Sequence, residues 1–422
     1  MVRNIGARLL ALLATAIPLT SAMKPALHNK LKAPATLPPP LAPSDGVHTF
    51  TYDSVQRRLP LIVEAVISNN PSYQPDLIVS LRELAAEISA GAPLKPLAVT
   101  QCGWPEALAP LLADGATWFS APWWLAENYF YKRMLELTDP ATECADPFAK
   151  QKADSLAGAE GAFAKMLAEG LPETTELAPL VATSLWGNLA DLSVSAGAVL
   201  VAPEDASSGS SLGSTMMLAD DSAALCETLL GCRGKEIILV LDNCGLECVS
   251  DFLLVDGLLR LVEPSKVTLH LKDRPVFVSD VTVADVQPTL EWLASHGGEA
   301  LSGRLSAALS DGHLALAAPE FYTGAAPFWE APDALADDFA AAALVLTKGD
   351  ANYRRLLDDR HWAHDASFEA LMSYWPTSLA ALRTCKSGVL VGTEPKVEAA
   401  AAMAHPDKWL TGGLYGVVQL KA

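Results

Sequence analysis

The sequence predicts an α/β fold in which a doubly wound, three-layer sheet follows a mainly helical N-terminal subdomain. Two observations support this prediction. Apolar residues in the first 180 positions recur at spacings of three and four, which is typical of helices, whereas short β-branched runs alternate with helical segments from position 237 onward. In addition, 50% of the 422 residues are hydrophobic, which is enough to bury a large core. Strands that alternate with helices pack as a parallel or mixed sheet with helices on both faces.

The first 22 residues have the layout of a targeting signal. Arg3 and Arg8 precede an apolar run at 9–19, and small residues for cleavage follow at 20–22. We therefore expect residues 1–22 to direct the chain to the secretory pathway or to an organelle such as a plastid; if they are only an amphipathic extension, the protein is cytoplasmic. No later segment is long and uncharged enough to be a membrane helix, so we expect no membrane association of the mature form. Residues 23–45 are rich in proline and are predicted to form an extended linker.

The predicted domain boundary separates a helical subdomain at 46–180 from an α/β domain at 181–422. Helices with apolar residues on one face are expected at Val55–Ser68, Leu77–Ala90, Trp118–Leu137 and Ala157–Glu169. Beyond the boundary, continuous apolar runs are typical of strands that are buried on both faces. These strands are expected at Ile237–Leu241, Lys266–Leu271, Ala341–Leu346, Val389–Val391 and Tyr415–Leu420. Helices are expected between them at Ser250–Leu261, at Asp285–Ser295 and from about Asn352.

Charge and cysteine content exclude several functional classes. The formal net charge is −19, and a surface of this sign repels nucleic-acid backbones, so nucleic acid is not an expected partner. A small phosphorylated metabolite still binds where cations or a metal ion gather locally. The seven cysteines contain no Cys-x-x-Cys pair, so neither a zinc site nor a disulfide framework is predicted. The sequence leaves the oligomeric state unknown.

Two aspartates and an asparagine are the candidate metal ligands. Asp242 and Asn243 directly follow the apolar run at 237–241, and Asp280 closes a second apolar run at 276–278. Ligands of open α/β sheets collect at the carboxyl ends of the strands, and oxygen donors placed there suit a hard divalent cation. A set of three leaves positions open for substrate, as metal-assisted hydrolysis requires. The alternative is that Asp242 and Asn243 only form a turn and a helix cap, and that Asp280 is a loop carboxylate.

Two further segments supply positive charge. In TKGDANYRRL at 347–356, Lys348 and Arg354 are cations, and Asp350 and Asn352 are able to bond sugar hydroxyls. This segment follows a short strand and opens a helix, which is a favourable position for phosphate binding. The sequence RTCK at 383–386 has a similar setting. By itself, each segment is also compatible with a capped helix start that presents a solvated cationic face.

The chain contains six distinctive motifs, which are WFSAPWWLAENYFYKRM at 118–134, SLWGNLADLS at 184–193, LDNCGLE at 241–247, FVSDVT at 277–282, KGDANYRRL at 348–356 and RTCK at 383–386. Any one of them is weakly specific, whereas six in one order are specific. From about residue 46 to the C-terminus, their order and approximate spacing resemble those of the damage-control phosphatase family. RTCK resembles the Arg-Thr-x-Lys signature of the subgroup once regarded as protein-glutamate carboxyl methyltransferases.

This resemblance implies a Rossmann-like, metal-dependent phosphatase of metabolite repair. It implies sugar-phosphate substrates such as fructose 1-phosphate or fructose 6-phosphate, and manganese, cobalt or nickel as the cofactor, with magnesium also able to serve. Asp242, Asn243 and Asp280 would then be the metal ligands, and the role of Asp242 as nucleophile or base stays open. The residues implied on the substrate side, or near it, are Glu247, Asp350, Asn352, Tyr353, Arg354, Lys386, Arg58, Asn188 and Asp191.

The resulting hypothesis is phosphate-ester hydrolysis in a site that binds a small phosphorylated sugar. One divalent ion binds a phosphate oxygen, Lys348, Arg354 and Lys386 offset the remaining charge, and Asp350 and Asn352 contact the sugar. Two alternatives remain open. The first is an S-adenosylmethionine-dependent protein carboxyl methyltransferase, which would not need the metal. The second is an inactive relative that binds a sugar phosphate without turnover.

Overall fold

The structure, a computed structural model, describes residues 30–47, 49–98, 103–139, 141, 145–187 and 216–422. Within this part of the chain, the central sheet has seven strands in the order β1-β7-β6-β5-β2-β3-β4. The strands are Met217–Asp220 (β1), Glu236–Val240 (β2), Lys266–His270 (β3), Leu314–Ala317 (β4), Leu344–Lys348 (β5), Ser378–Thr384 (β6) and Gly416–Lys421 (β7). Strands β2 to β6 are parallel to one another, whereas β7 pairs antiparallel with β6, and β1 pairs parallel with β7. The predicted α/β class is confirmed.

Helices form the N-terminal part of the described chain and cover the sheet. Before the sheet they span Phe50–Asp53, Leu59–Asn69, Pro75–Ser89, Trp104–Ala113, Trp123–Thr138, Ala149–Gly158, Glu160–Ala168 and Leu177–Trp186. Within the α/β part they span Ser222–Leu230, Leu246–Gly257, Val283–Ser295, Glu299–Asp311, Asp333–Ala341, Gly349–Leu357, Phe368–Leu371 and Pro395–Ala404. Two of them continue into π-helical segments, at Ser54–Arg58 and Leu258–Val262.

The sheet is buried on both faces, because alternate residues of the central strand β2 enter different hydrophobic clusters. Ile237 and Leu239 pack with the helices on one face, whereas Ile238 and Val240 pack with those on the other. All four side chains are almost completely inaccessible to solvent. Burial on both faces explains why this strand is a continuous apolar run in the sequence. The result is a three-layer arrangement of helices, sheet and helices.

The N-terminal helices form a third hydrophobic cluster. The helix Trp123–Thr138 lies at its centre, and residues 276–278 of the loop after β3 insert into it. Two later helices contribute Phe163 and Leu180 to the cluster on one face of the sheet instead. The helical part of the chain is therefore divided between its own core and the surface of the sheet. The helix Leu177–Trp186 spans the predicted domain boundary at residue 180.

Some predicted strands differ from those of the structure. Val389–Val391 is buried but does not pair as a strand, because side chains satisfy its backbone: Arg383 Nη1 donates to the carbonyl of Val389 at 2.6 Å, and Gln419 Nε2 donates to that of Val391 at 2.8 Å. The strands β1, β4 and β6 are not predicted from the sequence. Their segments, MLAD, LALA and SLAALRT, contain alanine and leucine and carry no β-branched residue except one threonine, so their strand propensity is weak.

The position of Asp280 also differs from the prediction, because it does not end a strand. Strand β3 ends at His270, and Asp280 lies in the following loop, where it forms an isolated bridge with Asn243. The run at 276–278 is apolar because it packs among the N-terminal helices rather than in the sheet. Similarly, the helix expected at Ala157–Glu169 is divided in the structure into two helices that meet near residue 159.

Residues 30–45 fall within the predicted proline-rich linker and are packed against the rest of the fold. Leu31 is buried in the cluster on one face of the sheet. The backbone N–H of Trp123 donates to the carbonyl of Leu41 at 2.7 Å, which attaches the segment to the central N-terminal helix. The segment therefore contacts both the helical core and the α/β layer.

Other expectations lie outside the described residues. They are the targeting signal at 1–22 and the candidate site residues Asn188 and Asp191. Within the described part of the chain, no helix has both the length and the apolar character needed to cross a membrane.

Candidate active site

The candidate site lies at the carboxyl edge of the parallel strands. The chain passes from β2 to β3 and β4 on one side of β2 and later returns to β5 and β6 on its other side. Such a reversal opens a crevice between β2 and β5, which is where ligands of open α/β sheets bind. Asp242 and Asn243 follow β2, and Gly349 and Asp350 follow β5.

A cleft opens at this crevice and contains about 360 Å³ of space, part of which is open to solvent. It brings together residues that are far apart in the sequence. The three predicted metal ligands all line it, and Phe50 and Phe277 provide apolar surface. The charged residues that complete the lining are Arg58, Glu127, Asp350, Arg354 and Lys386. Four of these five were expected on the substrate side, and Glu127 was not.

Hydrogen bonds hold the side chain of Asn243 in one orientation. Its Nδ2 donates to Asp242 Oδ2 and to Glu247 Oε2, both at 2.8 Å. Its Oδ1 accepts from Ser279 Oγ at 2.6 Å. Because Asn243 also bridges to Asp280 through the backbone, two carboxylates and one amide from separate loops converge at the end of β2.

The loop that carries Asp280 is held in a strained conformation. Phe277 and Val278 have φ angles of 50° and 66°, which are unfavourable for residues with a β-carbon. The ring of Phe277 stacks on Trp124, with 5.7 Å between the ring centroids. Packing against the N-terminal helices therefore stabilises the backbone turn that places Asp280 at the cleft.

Because Gly349 has no side chain, the carboxylate of Asp242 can lie directly against it. Its φ angle is 78°, and a β-carbon on this residue would lie 1.7 Å from Asp242 Oδ2. Glycine is required here both by the backbone conformation and by the close approach of the carboxylate. Asn352, which was predicted to contact the sugar, instead joins the two strand ends: its Nδ2 donates to the carbonyls of Leu241 at 3.2 Å and Lys348 at 2.8 Å.

The donor set suits a hard divalent cation, because all three side chains offer oxygen atoms. No group of three or more His, Cys, Asp or Glu side chains in the described residues could hold a metal, so this set depends on the amide of Asn243. The Nζ of Lys272 lies 3.1 Å from Asp280 Oδ2 and donates to the carbonyl of Leu241 at 3.1 Å. The Lys272 ammonium is one positive charge beside two buried carboxylates, those of Asp242 and Asp280, so these carboxylates can bind further positive charge. The residues therefore fit a metal ion, which Asp242, Asn243 and Asp280 would hold.

A pair of buried arginines also lines the cleft. Arg58 contacts one carboxylate oxygen of Glu127, and Arg354 Nη1 contacts the other at 2.5 Å. Arg354 Nη2 lies 3.0 Å from Asp359 Oδ2, and its guanidinium lies 4.8 Å from the ring centroid of Trp124. Although burial opposes the charge of Arg354, Asp359 and Glu127 raise its pKa above the ordinary value. Arg354 therefore stays charged in the cleft.

Asp350 connects the start of the helix after β5 with the RTCK segment. Its Oδ1 accepts from Arg383 Nε at 2.7 Å and from the backbone N–H of Lys386 at 3.0 Å. Arg383 is fully buried, and its guanidinium lies 4.3 Å from the ring centroid of Tyr353. Tyr353 was expected on the substrate side, but its hydroxyl donates to Gln419 Oε1 at 2.8 Å inside the core. Of the two RTCK cations, only Lys386 therefore lines the cleft.

Lys348 and Glu247, which were also expected to contact substrate, lie behind the metal-ligand residues. Lys348 Nζ donates to the carbonyl of Ser184 at 2.6 Å and lies 3.2 Å from both Glu247 Oε1 and Asp251 Oδ1. Burial raises the pKa of Asp251 to about 7, and Lys348 partly opposes that shift. Because Lys348 is 0% exposed, its charge neutralises carboxylates instead of reaching a phosphate. Through Glu247, this network orients Asn243.

Two charged residues at the site were missed by sequence reasoning. Glu127 lies in an aromatic helix, and Lys272 follows the predicted strand at 266–271. A charged residue within an apolar, buried segment requires a partner, and that is the signal that could have identified both. The sequence does not reveal the partners, because Glu127 is 69 residues from Arg58 and 227 from Arg354.

Residues 54–401 match the model of the damage-control phosphatase ARMT1-like domain, and this segment contains every charged residue of the cleft. The chain belongs to this family. The resemblance inferred from the six motifs is thereby confirmed. The damage-control phosphatase ARMT1 of Xenopus tropicalis is 32% identical over 431 residues, which cover 88% of this chain and 96% of the relative.

Other members of the damage-control phosphatase family are similar over nearly their whole length. ARMT1 of Danio rerio is 29% identical over 455 residues, which cover 93% of this chain and 99% of the relative. ARMT1 of Homo sapiens is 28% identical over 446 residues, which cover 91% and 99%. Among solved structures, the crystal structure of a DUF89 family protein from Pyrococcus horikoshii matches with a TM-score of 0.49 and 15% identity, covering 88% of this chain and 98% of that chain.

Proposed function

We propose that this protein is a metal-dependent phosphatase that hydrolyses small sugar phosphates of the fructose 1-phosphate or fructose 6-phosphate type. The observation that carries the proposal is a single cleft lined both by an oxygen donor set and by arginine and lysine side chains. Hydrolysis of a phosphate monoester needs both, because negative charge on the phosphoryl oxygens must be stabilised as the ester bond breaks. The name phosphatase, which the similar relatives carry, supports the same reaction class.

Asp242, Asn243 and Asp280 would hold the divalent ion, with manganese, cobalt, nickel or magnesium as candidates. When bound, such an ion supplies a Lewis acid for a phosphoryl oxygen. Asp242 is in addition the candidate nucleophile or base, since its carboxylate lines the cleft. The amide of Asn243 holds Asp242 Oδ2 in place at 2.8 Å.

Arg58, Arg354 and Lys386 are the proposed phosphate-binding residues. A guanidinium presents a planar fork of N–H donors that matches phosphate oxygens, whereas an ammonium acts as a point charge. All three line the cleft and are nearly inaccessible to solvent, so their charges are weakly screened there. Asp350 accepts a hydrogen bond from the backbone N–H of Lys386 and lines the cleft, which supports its proposed role of accepting a hydrogen bond from a sugar hydroxyl.

The test is phosphate release by the full chain from a panel of sugar phosphates, with manganese, cobalt, nickel, magnesium or EDTA. Asp242→Asn keeps the side-chain volume next to Gly349 and removes the carboxylate charge. We expect it to lower kcat/KM by about a hundredfold or more, as the loss of one strong electrostatic contribution to catalysis does. We also expect EDTA to abolish the release.

The matched control is Asp220→Asn. Asp220 ends β1, the outermost strand of the sheet, where it is exposed and does not line the cleft. We expect the control to retain wild-type activity. Absence of release by the wild type with every metal and substrate would refute the proposal, and release that persists in EDTA would refute its metal dependence.

A further inference from the structure

The charges around the cleft are nearly balanced. Among the described residues that line it, three are cations, namely Arg58, Arg354 and Lys386, and four are carboxylates, of which Glu127 is the one outside the strand-end loops. The lining side chains therefore carry one net negative charge. A divalent ion would change this to one net positive charge, which matches a single phosphoryl group better than two.

Glu127 determines this balance at the arginine pair. It is 2% exposed, and each of its carboxylate oxygens contacts a different guanidinium, that of Arg58 and that of Arg354. Arg354 is compensated a second time by Asp359 at 3.0 Å. Two guanidinium groups and two carboxylates thus form a neutral cluster, although the arginines alone would attract a second phosphate strongly.

We propose that Glu127 is a specificity-determining residue that restricts the cleft to singly phosphorylated substrates. This inference rests on the proposed phosphatase function. One phosphoryl group is stabilised by the divalent ion and Lys386, and the arginine pair supplies N–H donors to it. A second phosphoryl group in the same cleft has no further uncompensated cation among the described lining residues and meets the carboxylate of Glu127, and like charges in a partly buried site repel strongly.

Two variants separate the effect of the Glu127 charge from the effect of its structural contacts. Glu127→Gln keeps the shape and removes the charge, whereas Glu127→Asp keeps the charge and shortens the bridge. The matched control is Glu87→Gln, because Glu87 also bridges two cations, Lys95 and Arg133, but lies outside the cleft. Thermal unfolding of each variant establishes that it is folded at the assay temperature.

The measurement is kcat/KM for fructose 6-phosphate and for fructose 1,6-bisphosphate, and their ratio. We expect the wild type and Glu87→Gln to prefer the monophosphate. Glu127→Gln is expected to shift the ratio toward the bisphosphate by about tenfold, the order for removing one charge several ångströms from a dianion. Glu127→Asp is expected to keep the wild-type preference even if its kcat is lower. An unchanged ratio in Glu127→Gln, or an equal shift in Glu127→Asp, would overturn the inference.

Calorimetric binding of the same two sugars in EDTA gives a second readout that does not depend on turnover. Glu127→Gln should bind the bisphosphate more tightly, relative to the monophosphate, than the wild type does. If the protein releases no phosphate but this binding shift is present, the proposed function fails and the inference about Glu127 stands. If phosphate is released from both sugars equally by the wild type, the inference fails and the proposed function stands.

Discussion

Removal of the Lys348 ammonium is expected to destabilise the fold strongly and in a pH-dependent manner. In Lys348→Met, the side-chain stem is retained, while Glu247 and Asp251 lose the ammonium that lies 3.2 Å from each of them. Both carboxylates are almost completely buried. Breaking a buried ion pair by removing one partner costs about 3–5 kcal/mol, so we expect a loss of that size in the free energy of unfolding near pH 8.

The pH dependence follows from Asp251. Burial raises its pKa in the folded state to about 7 from an ordinary value of 3.8, so the stability that this group contributes is present at low pH and is lost as the pH rises through 7. In Lys348→Met the pKa should rise further, because the lysine normally lowers it. At pH 5.5, Asp251 is then protonated, and the destabilisation should fall by about half.

The assay is guanidinium unfolding at pH 5.5 and pH 8, followed by tryptophan fluorescence and circular dichroism. Lys266→Met is the control, because Lys266 opens β3 and pairs with Glu236 at 2.9 Å while 40% exposed, and we expect a loss of at most about 1 kcal/mol. If Lys348→Met is no less stable than this control, or if its destabilisation is the same at both pH values, the buried charge network does not stabilise the fold as described.

Two further predictions concern the metal-ligand residues. Gly349→Ala should abolish phosphate release because its β-carbon would lie 1.7 Å from Asp242 Oδ2. The control is Gly312→Ala, which has a similar φ of 86° and no atom near its β-carbon, so it should lose only about 1–2 kcal/mol of stability and keep its activity. Equal activity of the two variants would contradict the steric reasoning. Lys272→Met should bind manganese about tenfold more tightly in calorimetry, because the substitution removes a positive charge 3.1 Å from Asp280 Oδ2. Weaker binding would show that the ammonium mainly positions the carboxylate.

The strands at the centre of the sheet are predictable because their environment is uniform. Ile237–Leu241 and Lys266–Leu271 are buried on both faces, so almost every residue is apolar, and the structure has strands at both places. Ser378–Thr384 occupies an equally buried position with alanine and leucine, which do not favour strands over helices. The antiparallel direction of Gly416–Lys421 depends on the strand with which it pairs, and its own residues do not indicate that direction.

In the candidate site, likewise, the local sequence identifies some residues, whereas the role of others depends on distant parts of the chain. Asp242 and Asn243 are identifiable because a strand, a turn and a helix follow one another within a few residues. Lys348 has the same local setting, yet its side chain faces two buried carboxylates rather than the cleft. Local sequence does not distinguish a cation that faces solvent from one that faces an internal acid, because that choice depends on the elements packed against it.

The sequence by itself determined the α/β class, the family resemblance and the identity of the residues that carry oxygen and positive charge at the strand ends. These properties follow from hydrophobic periodicity and from motifs that lie within short segments of chain. Only the tertiary structure decided which of those residues share one cleft, that Lys348 and Tyr353 lie behind it, and that Glu127 joins Arg58 to Arg354. The physical reason is that a buried charge is stabilised by a partner, and the partner is brought close by packing across as many as 227 residues.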